Sequence, residues 1–257
     1  MRVSAVRPYG HLEAGYSGGR NDRVGEKDGE NRGAAEDMIP LKDDNPTRTF
    51  PIVNYALIAA NVAVFVYQLT LPPHAYKTFV MANAMVPMRI PQFLAGYLGF
   101  KMAFYPMFTS MFLHGGLMHL LGNMLFLYVF GDNVEDYLGH VAYLLFYAAC
   151  GIGSGLIHSL FNLHSSLPAL GASGAISGVM GAYAVLFPRA LVLMLFFIFL
   201  VPVPAFFVLG YWFVLQFLEG IGGLGAVASG GVAWWAHIGG FLMGMAIAWV
   251  ARERFRS

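Results

Sequence analysis

The chain has 257 residues, 58% of them hydrophobic and only 11% charged, and its mean hydropathy is +0.61. That composition excludes an ordinary soluble domain and marks a membrane protein. A net charge of +1, from 15 Lys/Arg against 14 Asp/Glu, offers nucleic acid nothing to hold, and the single cysteine, Cys150, leaves no intrachain disulfide. Cys150 stands in an apolar run beside Gly151 and Gly153, where it reads as a small packed residue.

Charge is unevenly placed. Residues 1–50 hold eight Lys/Arg, nine Asp/Glu and seven glycines, and read as a mobile polar cytosolic arm that cannot bury a core. No apolar stretch follows the basic start, so the arm is not a signal peptide. Residues 51–251 then read as a transmembrane domain of six helices, and residues 252–257 as a basic cytosolic tail. The first span is Ile52 to Thr70, closed by Pro72-Pro73. Residues 71–104 are too broken by proline and glycine for a span and too apolar for water. They are expected to lie partly in the membrane interface, anchored by Tyr97, Phe100, Phe104 and Tyr105. The second span runs from Gly115 to Phe130, and Gly131-Asp132-Asn133 leads into a short acidic turn. The third is His140 to Phe161, and the fourth is Ser173 to Phe187. Leu191 to Leu218 is too short for two crossings and is broken by Pro202 and Pro204. It reads as a buried or interfacial approach over 190–201 and a fifth span over 204–218. A glycine-rich loop, 219–231, precedes the last span, Ala233 to Ala251.

Lys and Arg orient this all-α bundle. With a cytoplasmic N-terminus, the eight of the arm, Arg189 and the three of the tail lie inside, and only Lys77, Arg89 and Lys101 lie outside. The expected location is a bacterial cytoplasmic membrane, with both termini cytoplasmic.

Topology then gathers polar groups near the external ends of spans two, four and six: His114, His119 and Asn123, then Ser173, then His237. Polar groups in lipid are costly and should face a bundle interior or a watery cavity. Ser173 lies between Gly171 and Gly174, where missing side chains admit a substrate to a nucleophile. Small residues recur every fourth position in span four (Gly174, Gly178, Ala182) and in span six (Ala236, Gly240, Gly244, Ala248). If these faces meet, Ser173 and His237 come within hydrogen-bond reach as nucleophile and base. The competing reading is two unrelated packing faces with one satisfied histidine. His119 and Asn123 share a helix face and offer the donors an oxyanion site needs. His114 lies off that face and would brace the loop. No carboxylate completes a triad; Glu219 is the one external acid beyond the arm, and Ser177 is a further candidate to hold His237.

His114-Gly115-Gly116-Leu117-Met118-His119 with Asn123, Gly171-Ala172-Ser173-Gly174, and Ala236-His237-Ile238-Gly239-Gly240 with Gly244 resemble the motifs of the rhomboid family of intramembrane serine proteases, in that family's order. The resemblance covers residues 50–250. It implies a six-helix protease that cuts transmembrane proteins within or beside their membrane segments, with no cofactor or metal. Carried over, Ser173 resembles the nucleophile, His237 the general base, and His119, Asn123 and the Ser173 N–H the oxyanion donors. Gly171 resembles the glycine of the serine motif. Two positions depart from the pattern. Tyr105-Pro106 stands where many members have Trp-Arg, and Ser177 stands where some have a tyrosine stacked on the histidine. A non-catalytic membrane-protein binder and a transporter are the alternatives.

Overall fold

The computed structural model describes residues 38–222 and 233–254. Residues 1–37 of the expected arm, 223–232 of the last loop and 255–257 of the tail lie outside the described residues. In chain order the elements are β1 (Met38–Asp43), α1 (Ile52–Thr70), α2 (Pro73–Asn83), α3 (Arg89–Leu94), α4 (Phe100–Thr109) with a 3-10 turn (Ser110–Phe112), α5 (Leu117–Leu138), α6 (His140–Phe161), α7 (Ser173–Leu186), β2 (Leu191–Phe196), β3 (Phe199–Pro204), α8 (Ala205–Gly222) and α9 (Trp234–Arg254).

The chain is a mostly helical, multi-pass membrane protein. Among the described residues, α1, α6, α8 and α9 are each long and apolar enough to cross a membrane; α4 with its turn meets α5 at an 80° bend, and the pair makes a fifth such segment only when taken together. The helix at the fourth expected span is different. α7 has only 14 residues, about 21 Å of helix, and Gly174 through Tyr183 are all buried. It is the core around which α5, α6 and α9 pack, whereas α8 presents Phe206, Phe207, Tyr211, Val214, Phe217 and Leu218 outward. Outward apolar side chains suit a bundle whose solvent is lipid.

The small-residue rows of α7 and α9 meet. A Cβ built on Gly240 would collide with the Gly174 carbonyl oxygen, and one on Gly244 with the Gly178 carbonyl oxygen. On its other side Gly178 faces the buried Cys150 of α6, within 2.6 Å of where a Cβ would stand. Cys150 is the packed residue that its neighbours suggested.

Three elements correct the sequence expectations. First, residues 190–203 do not lead smoothly into a span. β2 pairs antiparallel with β3 through a turn at Phe197–Ile198, and Phe197 takes a left-handed φ of 54°. β2 buries Val192 and Met194 and turns alternate residues outward, the period of a half-buried strand. Pro202 and Pro204 lie on β3, which is an edge strand where a missing N–H is tolerated. Second, the described part of the arm is not free: β1 pairs with β2, from Met38 opposite Phe196 to Asp43 opposite Val192. The Tyr183 hydroxyl at the end of α7 donates to Asp43. Third, the second span does not end at Phe130, and Gly131-Asp132-Asn133 leads into no acidic turn. α5 continues to Leu138, and the chain reverses at Gly139, where φ is 82°. The acids of this last stretch hold the N-terminus of α1. Glu135, fully buried, accepts the amide N–H of Val53 at 3.0 Å and of Asn54 at 2.7 Å. Asp136 accepts the Thr49 N–H at 2.8 Å and its hydroxyl at 2.7 Å. A helix start has no internal acceptors for its first amides, so Glu135 supplies them, while Asp136 fixes the chain just ahead of α1.

At the opposite end the first loop is helical, α2 to α4, with Phe100 and Phe104 stacked, Phe93 edge-on to both, and Tyr97 and Tyr105 exposed. Met85 of this loop forms an antiparallel bridge with Ala169. That bridge ties the loop to the segment just ahead of Ser173.

Candidate active site

Ser173 is the first residue of α7. Its position follows from the segment before it. The Met85–Ala169 bridge holds residue 169, and the Gly171 N–H donates to the Ser110 carbonyl at 2.9 Å. The chain then turns through Gly171 at φ +128°, a value that side chains rarely adopt. Space demands glycine there as well: a Cβ would stand 2.8 Å from His119 Nε2 and 3.7 Å from Ser173 Oγ. His119 thus comes close to the serine loop. As the opening residue of α7, Ser173 also carries one of the amide N–H groups that no intrahelical carbonyl accepts. The positive end of the helix dipole favours negative charge at that point.

α9 brings the second residue. His237 Nε2 is 2.8 Å from Ser173 Oγ, across 64 positions of sequence. The contact follows from the α7–α9 packing, because Ser173 precedes Gly174 and His237 follows Ala236 in the two small-residue rows. Both side chains are half-buried. The other ring nitrogen, Nδ1, lies 2.6 Å from Oε1 of Gln216 on α8, a buried residue. The sequence reading missed Gln216 and looked for an acid. Glu219, its candidate, is exposed one turn further along α8, and its carboxylate has no hydrogen-bond or ion-pair partner among the described residues. A signal was present: Gln216 is the one amide or charged side chain between Leu191 and Leu218, where a polar group is costly.

Ser177 does not hold His237. Its hydroxyl donates to the Ser173 carbonyl at 2.6 Å, within its own helix. The rings beside His237 come from elsewhere: Trp212 of α8 is tilted at a centroid distance of 5.9 Å, and Trp234 stands edge-on at 6.2 Å.

On α5, the Gly115 N–H points to His119 Nδ1 at 3.4 Å. That leaves Nε2 of the neutral ring as the protonated, donating atom, and Nε2 is the atom beside Gly171. Asn123 is buried, and its amide donates to the His119 carbonyl one turn back at 2.9 Å. A second amide hydrogen remains. His114 does brace the loop, but through its backbone. The Gln68 side chain of α1 accepts the His114 N–H and donates to the His114 carbonyl, both at 3.1 Å. Its imidazole is buried edge-on to His119 at 5.2 Å. A small cavity opens beside Ser173, lined by Met85, Ser110, Met111, Gly151, Ser154 and Ala236 among others. Among the described residues no three His, Cys, Asp or Glu side chains form a group that could hold a metal ion. The arrangement can take a proton from the serine hydroxyl, and it places His119 Nε2 next to the serine loop.

The rhomboid domain profile matches residues 101–254, which contain every one of these site residues except Gln68 and Met85. The chain is similar to Rhomboid protein 1, mitochondrial, of Saccharomyces cerevisiae, 31% identical over 203 residues that cover 76% of this chain and 52% of that protein. It is similar to RHOMBOID-like protein 12, mitochondrial, of Arabidopsis thaliana, 29% identical over 222 residues that cover 78% of this chain and 59% of that one. RHOMBOID-like protein 1 of the same plant is 31% identical over 153 residues, 52% of this chain and 39% of that protein. The chain therefore spans about half the length of the curated relatives it matches. These relatives come from a yeast and a plant, two of them named mitochondrial, and they give no support to the bacterial membrane expected from the sequence. With the profile covering more than half of the chain, the chain belongs to the rhomboid family.

Proposed function

We propose that the chain is an intramembrane serine endopeptidase acting on transmembrane proteins within or beside their membrane segments. The observation that carries this is the 2.8 Å approach of His237 Nε2 to Ser173 Oγ between two closely packed helices. Family membership adds to it. Ser173 Oγ attacks the scissile carbonyl carbon as His237 Nε2 takes the hydroxyl proton. The same nitrogen then protonates the leaving amine. The resulting acyl-enzyme is hydrolysed by water that His237 deprotonates. The oxyanion takes hydrogen bonds from the Ser173 N–H, His119 Nε2–H and the free amide hydrogen of Asn123. Small side chains beside Ser173 leave room for an extended substrate segment, and helix-breaking residues in the substrate make such a segment easier to form.

The test is labelling by a fluorophosphonate, a reagent that requires an activated serine, alongside cleavage of a panel of single-span substrates in proteoliposomes. Wild type should label and cleave, and Ser173→Ala and His237→Ala should do neither while staying folded. A protein that binds those substrates but neither labels nor cuts them is a non-catalytic binder, and the proposal fails.

We further propose cytoplasmic termini and a site at the opposite face, on the distribution of Lys and Arg. A tag at Met1 should resist protease added outside intact cells; its removal there reverses the orientation.

A further inference from the structure

We infer that Gln216 is a positioning residue that fixes the tautomer of His237 in place of a carboxylate. The inference rests on the serine-protease reading and extends it to a residue of α8 outside the recognised motifs. A neutral imidazole carries one proton on one of two nitrogens. His237 can act as base toward Ser173 only if Nε2 bears the lone pair, so the proton must sit on Nδ1. Nδ1–H needs an acceptor, because a donor buried without one is costly. The atom facing Nδ1 at 2.6 Å is the Gln216 carbonyl oxygen Oε1, while Nε2 faces Ser173 Oγ at 2.8 Å. The two contacts lie on opposite ring nitrogens and together select the productive tautomer. Were the amide turned over, its NH2 would face Nδ1 and favour the other tautomer, with Nε2–H directed at the serine.

The amide also suits its surroundings. Gln216 is buried, 8% exposed, in an apolar span. A carboxylate there would carry a charge into low dielectric for the whole catalytic cycle, though its benefit arises only while the imidazolium exists. The oxygen of a neutral amide accepts Nδ1–H at all stages, and its dipole points toward the positive ring when the serine proton arrives. The transfer itself is unchanged: the Oγ–H bond breaks, Nε2–H forms, and the Nδ1 proton stays in place. The nearby rings of Trp212 and Trp234, at 5.9 and 6.2 Å, limit the space into which the imidazole could turn.

The experiment compares Gln216→Met and Gln216→Glu with wild type, using cleavage of one single-span substrate in proteoliposomes and the rate of fluorophosphonate labelling at Ser173. Methionine keeps length and apolar bulk and removes the acceptor. It should lower kcat and the labelling rate by about 10- to 100-fold, the range for loss of a partner that orients a metal-bound histidine, with KM within about twofold because Gln216 is buried behind His237 in this reading. Glutamate restores an oxygen facing Nδ1 and should recover most of the kcat lost in the methionine variant. In wild type, histidine-selective 15N spectra should show His237 protonated at Nδ1; the methionine variant should show a mixture. Wild-type kcat in Gln216→Met overturns the inference while leaving the protease reading intact. An equal loss in both variants also overturns it, because the residue would then act only by packing. Should the methionine variant not fold, the wild-type spectrum decides alone, and protonation at Nε2 refutes the assignment. Absence of labelling and cleavage in wild type instead overturns the protease reading itself.

Discussion

Gly240 of α9 stands so close to Gly174 of α7 that its Cα faces the Gly174 carbonyl oxygen with no room for a methyl group. This glycine pair sets the depth and spacing at which His237 meets Ser173. Gly240→Val must push the helices apart, since the obstructing atom is backbone and cannot rotate away. A shift of about 1 Å can cost roughly 100-fold in rate with the reacting groups unchanged. Cleavage should fall by at least that factor, and the thermal midpoint in detergent should fall too. Val250→Leu, at an outward position of the same helix, should leave both nearly unaltered. Wild-type cleavage by Gly240→Val would contradict this dependence.

Gly171→Ala tests the turn ahead of the nucleophile. Alanine meets two obstacles, the φ of +128° and the His119 ring at 2.8 Å. Both disturb the segment between His119 and Ser173, whose Nε2–H and backbone N–H are the oxyanion donors proposed above. Loss of one oxyanion donor costs about 100- to 1,000-fold in kcat, and a loss in that range is expected here. The fluorophosphonate adduct, which also places an oxyanion in the site, should form correspondingly slowly. Unimpaired labelling would place the oxyanion elsewhere.

Glu135→Ala addresses stability at the other end of the molecule. It leaves the amides of Val53 and Asn54 without the buried carboxylate that accepts them. Replacement of a capping acceptor by alanine costs about 0.5–2 kcal/mol, and the upper part of that range is expected because two amides lose their partner. The unfolding midpoint should drop, while kcat of the remaining folded protein stays within about twofold. A variant as stable as wild type would mean that water satisfies this helix start.

Asp43 provides a pH test outside the spans. Burial raises its pKa above the ordinary 3.8, and the hydrogen bond from Tyr183 offsets this only in part. The folded state therefore holds the proton more tightly than the unfolded state. The stability contributed by that proton is fully present below 3.8 and is lost as pH rises through the raised value. Asp43→Asn keeps an acceptor for the Tyr183 hydroxyl and removes the titration. Its thermal midpoint should match wild type near pH 4 and exceed it increasingly toward pH 7, buffers and detergent being held constant. A difference that does not vary with pH would show that Asp43 is not the group responsible.

Much of this architecture is written locally. Apolar runs about as long as a bilayer crossing mark α1, α6 and α9, and the recurrence of small residues every fourth position marks the faces of α7 and α9, because helix geometry converts that spacing directly into a face. Ser173 and His237 could be paired from sequence since each sits next to the first member of such a row. Their common depth follows from counting spans. What the sequence left open depends on which segments meet across space. That Met38–Asp43 adds a strand to Leu191–Phe196, that Glu135 and Asp136 serve the start of α1, and that α7 is a short enclosed core rather than an ordinary crossing are outcomes of packing, not of local propensity. Gln216 belongs to the same class. Its cost in an apolar helix is visible in the sequence, but its partner is not, because only the rotation of α8 against α9 decides that Oε1 meets Nδ1 of His237 rather than another buried donor.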